Sequence, residues 1–270
     1  MDRVAREEYR AHQTSDPTNE DLQVRRDELS HPYDWECFQA LVHGVGNCIA
    51  RWPKVNRVVL VGGGTGFEAA MLRNRVPGIR EVVVLDLGLC MLRRSAETFA
   101  HIGAQNDRAL RVVSDFNSLP FRPFGNDTVG LAFRCLHHAM DIDVALREMR
   151  RAFNKIVLVE PVWTRTIRLL ARFGVANRPE HIDDHRPQRI TPSQLRSQGW
   201  LVEEAYLLEI PRNRLPGLQK REGPFRSGQV SKAEQVIAQT YNTLLSVFAK
   251  PLVSLGLANY IQATLVRKAK

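Results

Sequence analysis

The stretch Val58-Val59-Leu60-Val61-Gly62-Gly63-Gly64-Thr65-Gly66 constrains this chain more than any other. Four consecutive aliphatic residues suit a strand covered on both faces. Glycines at 62, 64 and 66 let the backbone turn sharply and approach a ligand with no Cβ in the way. A helical pattern starts at Phe67, and its first amides can accept a carboxylate or phosphate at the same place. The dinucleotide fingerprint G-x-G-x-x-G wants glycine where Phe67 stands, so the spacing here turns away from NAD. No Lys-Ser or Lys-Thr follows, which excludes a Walker loop. A purely structural tight turn is the plain alternative.

Aliphatic runs and helical patterns alternate on both sides of that elbow. Phe38, Leu41, Val42, Val45 and Ile49 follow the three-and-four spacing of one helical face, so residues 35–50 read as a helix ended by Pro53. Strands are expected at 58–61, 81–86, 110–114, 128–133 and 156–160, with helices at 67–74, 89–101 and 142–153 between them. Runs of Val, Ile and Leu that do not alternate with polar residues are what a buried parallel sheet requires. The expected fold is therefore α/β: a doubly wound, mostly parallel seven-stranded sheet with a helical segment ahead of it and a lid insertion after the fifth strand.

Residues 162–190 are the expected lid, too long for a minimal connection. Thr191-Pro192-Ser193-Gln194 carries a cap, a proline at the first helical position and a glutamine three residues after the cap, with Gly199 closing the helix. A strand is expected over 201–210, a basic loop over 211–230, a helix from Ser231 that stops before Pro251, and a last strand over 257–267. Leu244 to Val266 has Lys250 as its one charge, but Pro251, Asn259 and Gln262 interrupt it. Two core elements joined by a turn explain it better than a membrane span. The domain reading is a polar arm at 1–34 followed by one unit over 35–270.

Charge separates arm from body. Residues 1–36 hold ten acids and five arginines, a net of −5, within a chain whose total is +9. A basic body attracts anions, whether substrate, nucleic acid or an anionic surface, although a soluble, self-repelling surface explains it as well. Cys37, Cys48, Cys90 and Cys135 make no Cys-x-x-Cys pair and read as reduced thiols, and the first thirty residues have no apolar signal stretch. Both point to a cytoplasmic protein.

Two acids sharpen the elbow. Asp86 ends the second strand, where a carboxylate can accept from both hydroxyls of a ribose. Asp115 follows the third strand beside Phe116, an acid to take an adenine amino group and a ring to cover the base. Each alone suits a turn equally well. Glycines, acid and acid at three successive strand ends place one ligand at the carboxyl edge of the sheet.

With these residues in place the chain resembles the class I S-adenosyl-L-methionine (SAM)-dependent methyltransferases, and within them the small-molecule, quinone-biosynthesis-like branch. The resemblance runs from Arg57 to Pro161. It rests on the elbow, on Asp86 with Met91-Leu92, on Ser114-Asp115 with Leu119-Pro120-Phe121, on Leu136-His137-His138, on Ala145-Leu146-Arg147-Glu148 and on Val159-Glu160-Pro161. It implies S-adenosyl-L-methionine as cofactor. Gly62, Gly64 and Gly66 would cradle its methionine part, Asp86 would hold its ribose and Asp115 with Phe116 its adenine, with Gly63, Leu87, Met91 and Arg134 as further cofactor-binding residues. The family has an acid two residues before the first glycine, and this chain has Leu60. Glu68 either substitutes for that acid or stabilises the helix dipole. The family's Pro-Gly-Gly hairpin before the fifth strand is replaced by Phe153-Asn154-Lys155.

A sulfonium methyl is already electrophilic, so the protein must align an acceptor and exclude water. His137 or His138, ending the fourth strand, could take a proton, and Glu160, ending the fifth, is a comparable candidate. Both histidines could instead be structural. His181-x-x-x-His185 with Asp183 and Asp184 could hold a metal, touch substrate from a lid or be a polar loop; no metal is expected. Trp163, Ile167, Leu169, Leu170 and Phe173 suit a hydrophobic acceptor or packing on the sheet. The expected function is SAM-dependent methyl transfer to a hydrophobic or aromatic small molecule, at O, N or C. The alternatives are a SAM-binding protein that does not methylate, motivated by Leu60, and an RNA methyltransferase, motivated by the basic body. Nucleic acid is not the expected partner, while contact with an anionic surface is compatible with the charge.

Overall fold

The computed structural model describes residues 32–104, 109–139, 141–161, 190–207 and 260–267, with isolated positions between 232 and 251. Seven strands form one sheet: β1 (Arg57–Val61), β2 (Glu81–Asp86), β3 (Ala109–Val113), β4 (Thr128–Phe133), β5 (Lys155–Pro161), β6 (Trp200–Leu207) and β7 (Tyr260–Arg267). Their order is β3-β2-β1-β4-β5-β7-β6. The first five pair in parallel. Strand β7 lies antiparallel between β5 and β6. The order reverses beside β1, and the crevice at such a reversal, past the carboxyl ends of the strands, is where ligands bind in this architecture.

The central strands β1, β2, β4 and β5 read as continuous apolar runs because each divides its side chains between two cores. Val58 and Leu60 of β1, Val129, Leu131 and Phe133 of β4, and Val157 and Val159 of β5 enter one core. Helices α1 (Pro32–Ala50), α2 (Phe67–Arg75) and α3 (Leu89–Ile102) complete that core with Phe38, Val42, Leu72, Leu92 and Phe99. Val59, Val61, Ala132, Ile156 and Leu158 face the other core, which α4 (Ile142–Ala152) and α5 (Pro192–Ser197) cover with Leu146, Met149 and Leu195. Gly130 sits inside β4 because the Phe153 ring presses on it: a Cβ there would come within 2.8 Å of Phe153 Cδ2.

Helix ends follow from local chemistry. The Asp141 carboxylate accepts from the amides of Asp143 and Val144 and starts α4. Thr191 Oγ1 accepts from Gln194 N at 3.2 Å, with Pro192 opening α5, as the cap pattern anticipates. Gly199, at φ 80°, then turns the chain into β6. Helix α1 starts at Pro32, ahead of the expected residue 35. One expectation is corrected: Pro251, placed beyond the end of the last helix, is itself helical, and the described positions from 232 to 247 are helical too. The expected lid at 162–190 except its last residue, the basic loop at 211–230, the histidines at 181 and 185, and the arm up to residue 31 lie outside the described residues. Among the described residues no helix is long and apolar enough to cross a membrane.

Candidate active site

Strand β1 runs straight into the glycine elbow. Gly62, Gly64 and Gly66 all have positive φ, 66°, 51° and 73°. That region disfavours side chains, so the glycines are a backbone requirement. The turn is pinned by Gly63 N donating to Leu85 O at 2.7 Å and Gly66 N to Gly63 O at 2.7 Å. Gly62 is also crowded. A Cβ there would lie 2.6 Å from Cys135 Cβ and 2.9 Å from the Phe116 ring. Gly64 has room, since its Cβ would meet Met91 Cε at 3.6 Å and nothing else within 4 Å. Gly63 is buried over Leu60, whose Cδ2 would be 2.7 Å from a Cβ at 63, so the side chain at position 60 fills core space beneath the elbow.

Asp86 points at the elbow. Its Oδ2 accepts from Gly64 N at 2.7 Å and its Oδ1 from Gly88 N at 2.8 Å, so one carboxylate ties the β1 and β2 loops together. Leu87 and Met91 are half-buried in the turn and the first part of α3. Asp115 Oδ1 accepts from Asn117 N at 2.8 Å and from Asn117 Nδ2 at 3.0 Å, the local turn that a short acid favours. Its Oδ2 takes neither bond. Asn117 Oδ1 is buried with no partner among the described residues, two positions past Asp115. Sequence reading passed over Asn117, although Asp-Phe-Asn is the pattern of such a turn. Bare main chain, a double-acceptor acid and an unmet buried acceptor at successive strand ends fit an adenosyl ligand.

Past β4 the chain turns through Arg134, the single non-glycine residue with positive φ (51°) among the described residues. Side chains reach that conformation at a cost of about 1–3 kcal/mol, and such outliers gather at functional sites. The turn is held by Arg134 N donating to Val159 O at 2.7 Å, and the guanidinium lies 5.9 Å from the centre of the Phe133 ring. It also aims two amides at one acid: Cys135 N and Leu136 N both donate to Glu160 Oε1 at 2.8 Å. Glu160, wholly buried on β5, binds His137 Nδ1 through Oε2 at 2.9 Å. His137 is the second residue of a short 3-10 turn (Leu136–His138), and the exposed His138 packs on it with ring centres 4.0 Å apart.

Cys135 sits among these groups. Its thiol donates to Val61 O at 2.9 Å. Burial pushes this thiol well above the ordinary cysteine range, and the carboxylates of Glu160, Asp86 and Glu68 push it further. It is a neutral packing group against Gly62. Glu68, in the first turn of α2, is 2% exposed. The structure thus brings the glycines, Asp86, Glu160, Cys135 and His137 to one sheet edge, with Asp115 and Phe116 beside them. No cluster of potential metal ligands occurs among the described residues.

Comparison with known proteins agrees with this fold. Residues 58–155 match the family model described as a methyltransferase domain. No curated protein sequence matches the chain. A protein of Bacillus halodurans described as a methyltransferase is similar in structure at a TM-score of 0.54 and 14% identity, over 86% of this chain and 99% of that one. A Haloferax volcanii chain solved with the Trm112 methyltransferase activator gives 0.53 and 16%, over 91% and 98%. Magnesium protoporphyrin IX methyltransferase of Synechocystis, solved with bound S-adenosylhomocysteine (SAH), gives 0.50 and 12%, over 85% and 83%. The likenesses establish the fold. Residues 58–155 are a methyltransferase domain, and S-adenosyl-L-methionine is its cofactor.

Proposed function

We propose that this SAM-dependent methyltransferase passes its methyl group to a hydrophobic or aromatic small molecule, with a quinone-like ring as the class that the sequence resemblance favours. The observation that carries the reading is the edge at which elbow, acids and aromatic rings meet. Half-buried Phe67 and Phe116 flank the glycines, and Phe67 packs edge-on against Phe38 with ring centres 5.2 Å apart. Flat apolar faces beside a cofactor cradle suit an apolar acceptor. When bound, the cofactor supplies an electrophilic methyl. The residues present would hold it by three contacts: Gly62 to Gly66 against the methionine part, Asp86 at the ribose, and Asp115 with Asn117 at the adenine amino group, under Phe116.

The protein's own task is then alignment and exclusion of water. The unit over 35–270 would act in the cytoplasm on a small molecule. Contact with an anionic surface through the basic body is compatible with that role, and nucleic acid is not its substrate.

The test combines binding and transfer. Calorimetry with SAH should show binding to the full chain, lost or weakened at least about tenfold in Asp86→Ala, a difference of about 1.4 kcal/mol. Incubation with methyl-tritiated cofactor and cell extract should put label into the organic-soluble fraction. Label confined to RNA would replace the acceptor reading, and absence of SAH binding would remove the cofactor reading.

A further inference from the structure

Resting on the methyl-transfer reading, we infer that His137, set by Glu160, is the base of the reaction, and that the acceptor is an acidic hydroxyl of phenol or enol type that loses its proton as it is methylated. Glu160 is a positioning residue and does not meet the acceptor: it is wholly buried, and its two oxygens hold two main-chain amides and the imidazole. Amides only donate and a carboxylate holding two of them accepts, so the bond to Glu160 puts a hydrogen on Nδ1, and in the neutral ring Nε2 holds the lone pair. The His137 side chain is 18% exposed while its carboxylate partner is fully enclosed.

The placement fits the chemistry. His137 stands two residues past Cys135, whose Cβ closes on Gly62, so the base is built on the turn that backs the cofactor elbow. Glu160 from β5 and His138 from its own turn touch it, with Arg134 earlier in that turn. A nucleophile or acid held by a base that is itself oriented by a third group is a recurring catalytic arrangement. In the step, the acceptor oxygen bonds to the methyl carbon as the carbon–sulfur bond breaks, its electron pair staying on sulfur. The acceptor's proton goes to His137 Nε2 and is later lost to water. No oxidant or metal is needed. Imidazole is matched to a hydroxyl in the phenol range, where partial proton transfer lowers the barrier; an unactivated alcohol would be a poorer match.

Glu160→Gln tests the arrangement with little change of shape. The amide oxygen can still accept from Cys135 N and Leu136 N, but its NH2 would face Nδ1 and donate, forcing the hydrogen onto Nε2. Nitrogen NMR of histidine-labelled full-length protein with SAH reads the tautomer directly. The wild type should show Nδ1–H for His137, and Glu160→Gln should show the reverse, with SAH affinity within about threefold and transfer reduced on the order of 100-fold. If Glu160→Gln does not fold, the wild-type tautomer together with His137→Gln decides: that variant should bind SAH and lose transfer. Mass spectrometry of the product should show net gain of CH2, a hydrogen replaced by methyl. Wild-type His137 protonated on Nε2, or a product that gains an intact methyl cation, would overturn the inference while SAH binding still stood. Failure of the wild type to bind SAH would instead overturn the reading beneath it.

Discussion

Gly62 and Gly64 share a positive φ but differ in their surroundings, and the difference predicts opposite phenotypes. At Gly62 a methyl group would strike Cys135 and Phe116 as well as strain the backbone. Gly62→Ala should destabilise the fold by about 3 kcal/mol or more, seen as a lower denaturation midpoint. At Gly64 the new methyl has space and meets only strain, of about 1–2 kcal/mol. Gly64→Ala should fold and yet lose SAH affinity, because the methyl would stand where the bare main chain meets the ligand. Cys135 gives a second outcome at this scale. Its buried, neutral thiol should resist alkylation in native protein at pH 8 and react only on unfolding, while half-buried Cys48 and Cys90 react first. Mapping of adducts by mass spectrometry checks it. The glycines and Asp86 could be read from sequence because spacing and strand ends determine their place. The dyad of Glu160 and His137 could not. It depends on β4 and β5 lying side by side, and on a left-handed residue at 134, which a single sequence does not reveal.

Among the elements, the loop between β3 and β4 is held down by α4. Arg151 donates to Phe121 O and Leu119 O, each at 2.6 Å, and pairs with Glu148, whose Oε2 also accepts from Leu119 N. These contacts explain in physical terms why the Leu119-Pro120-Phe121 and Ala145-Leu146-Arg147-Glu148 stretches occur together: one docks on the other. The Arg151 guanidinium holds the Glu148 carboxyl below its usual range, the amide of Leu119 adding to this. A carboxyl lowered on folding stabilises the native state above its unfolded pKa, and that contribution is lost as pH falls through the folded value. Glu148→Gln should therefore lower stability near pH 7, by at most about 1 kcal/mol because the pair is partly exposed. The gap should close below about pH 4. Thermal denaturation across that range measures it. Strand boundaries were legible to within one residue for β1 to β5 because each of those segments is rich in aliphatic residues, even at β3, where Leu110 and Val113 are exposed. The end of the last helix was not, since a proline does not by itself mark the residue before it as the last helical one, and Pro251 is itself helical.

For the molecule as a whole, α1 is joined to the sheet by rings. Phe38, 7% exposed, packs against Phe67 beside the elbow and Phe133 at the end of β4, with ring centres 5.2 and 5.7 Å away. Phe38→Ala should cost about 3 kcal/mol of stability, read in denaturant, and should weaken SAH binding as well, because the cavity opens next to the residue that follows the last elbow glycine. The α/β class was legible from the alternation of runs, but the place of the last strand was not. Strand β7 comes last in sequence and sits inside, bonded on one side to β5 and on the other to β6. A nascent polypeptide halted before Tyr260 would carry a slot one strand wide, open along two rows of main-chain donors and acceptors. A synthetic copy of 260–267 could be offered to that slot in trans, so the sheet is a natural place to split this protein into two halves that complete each other.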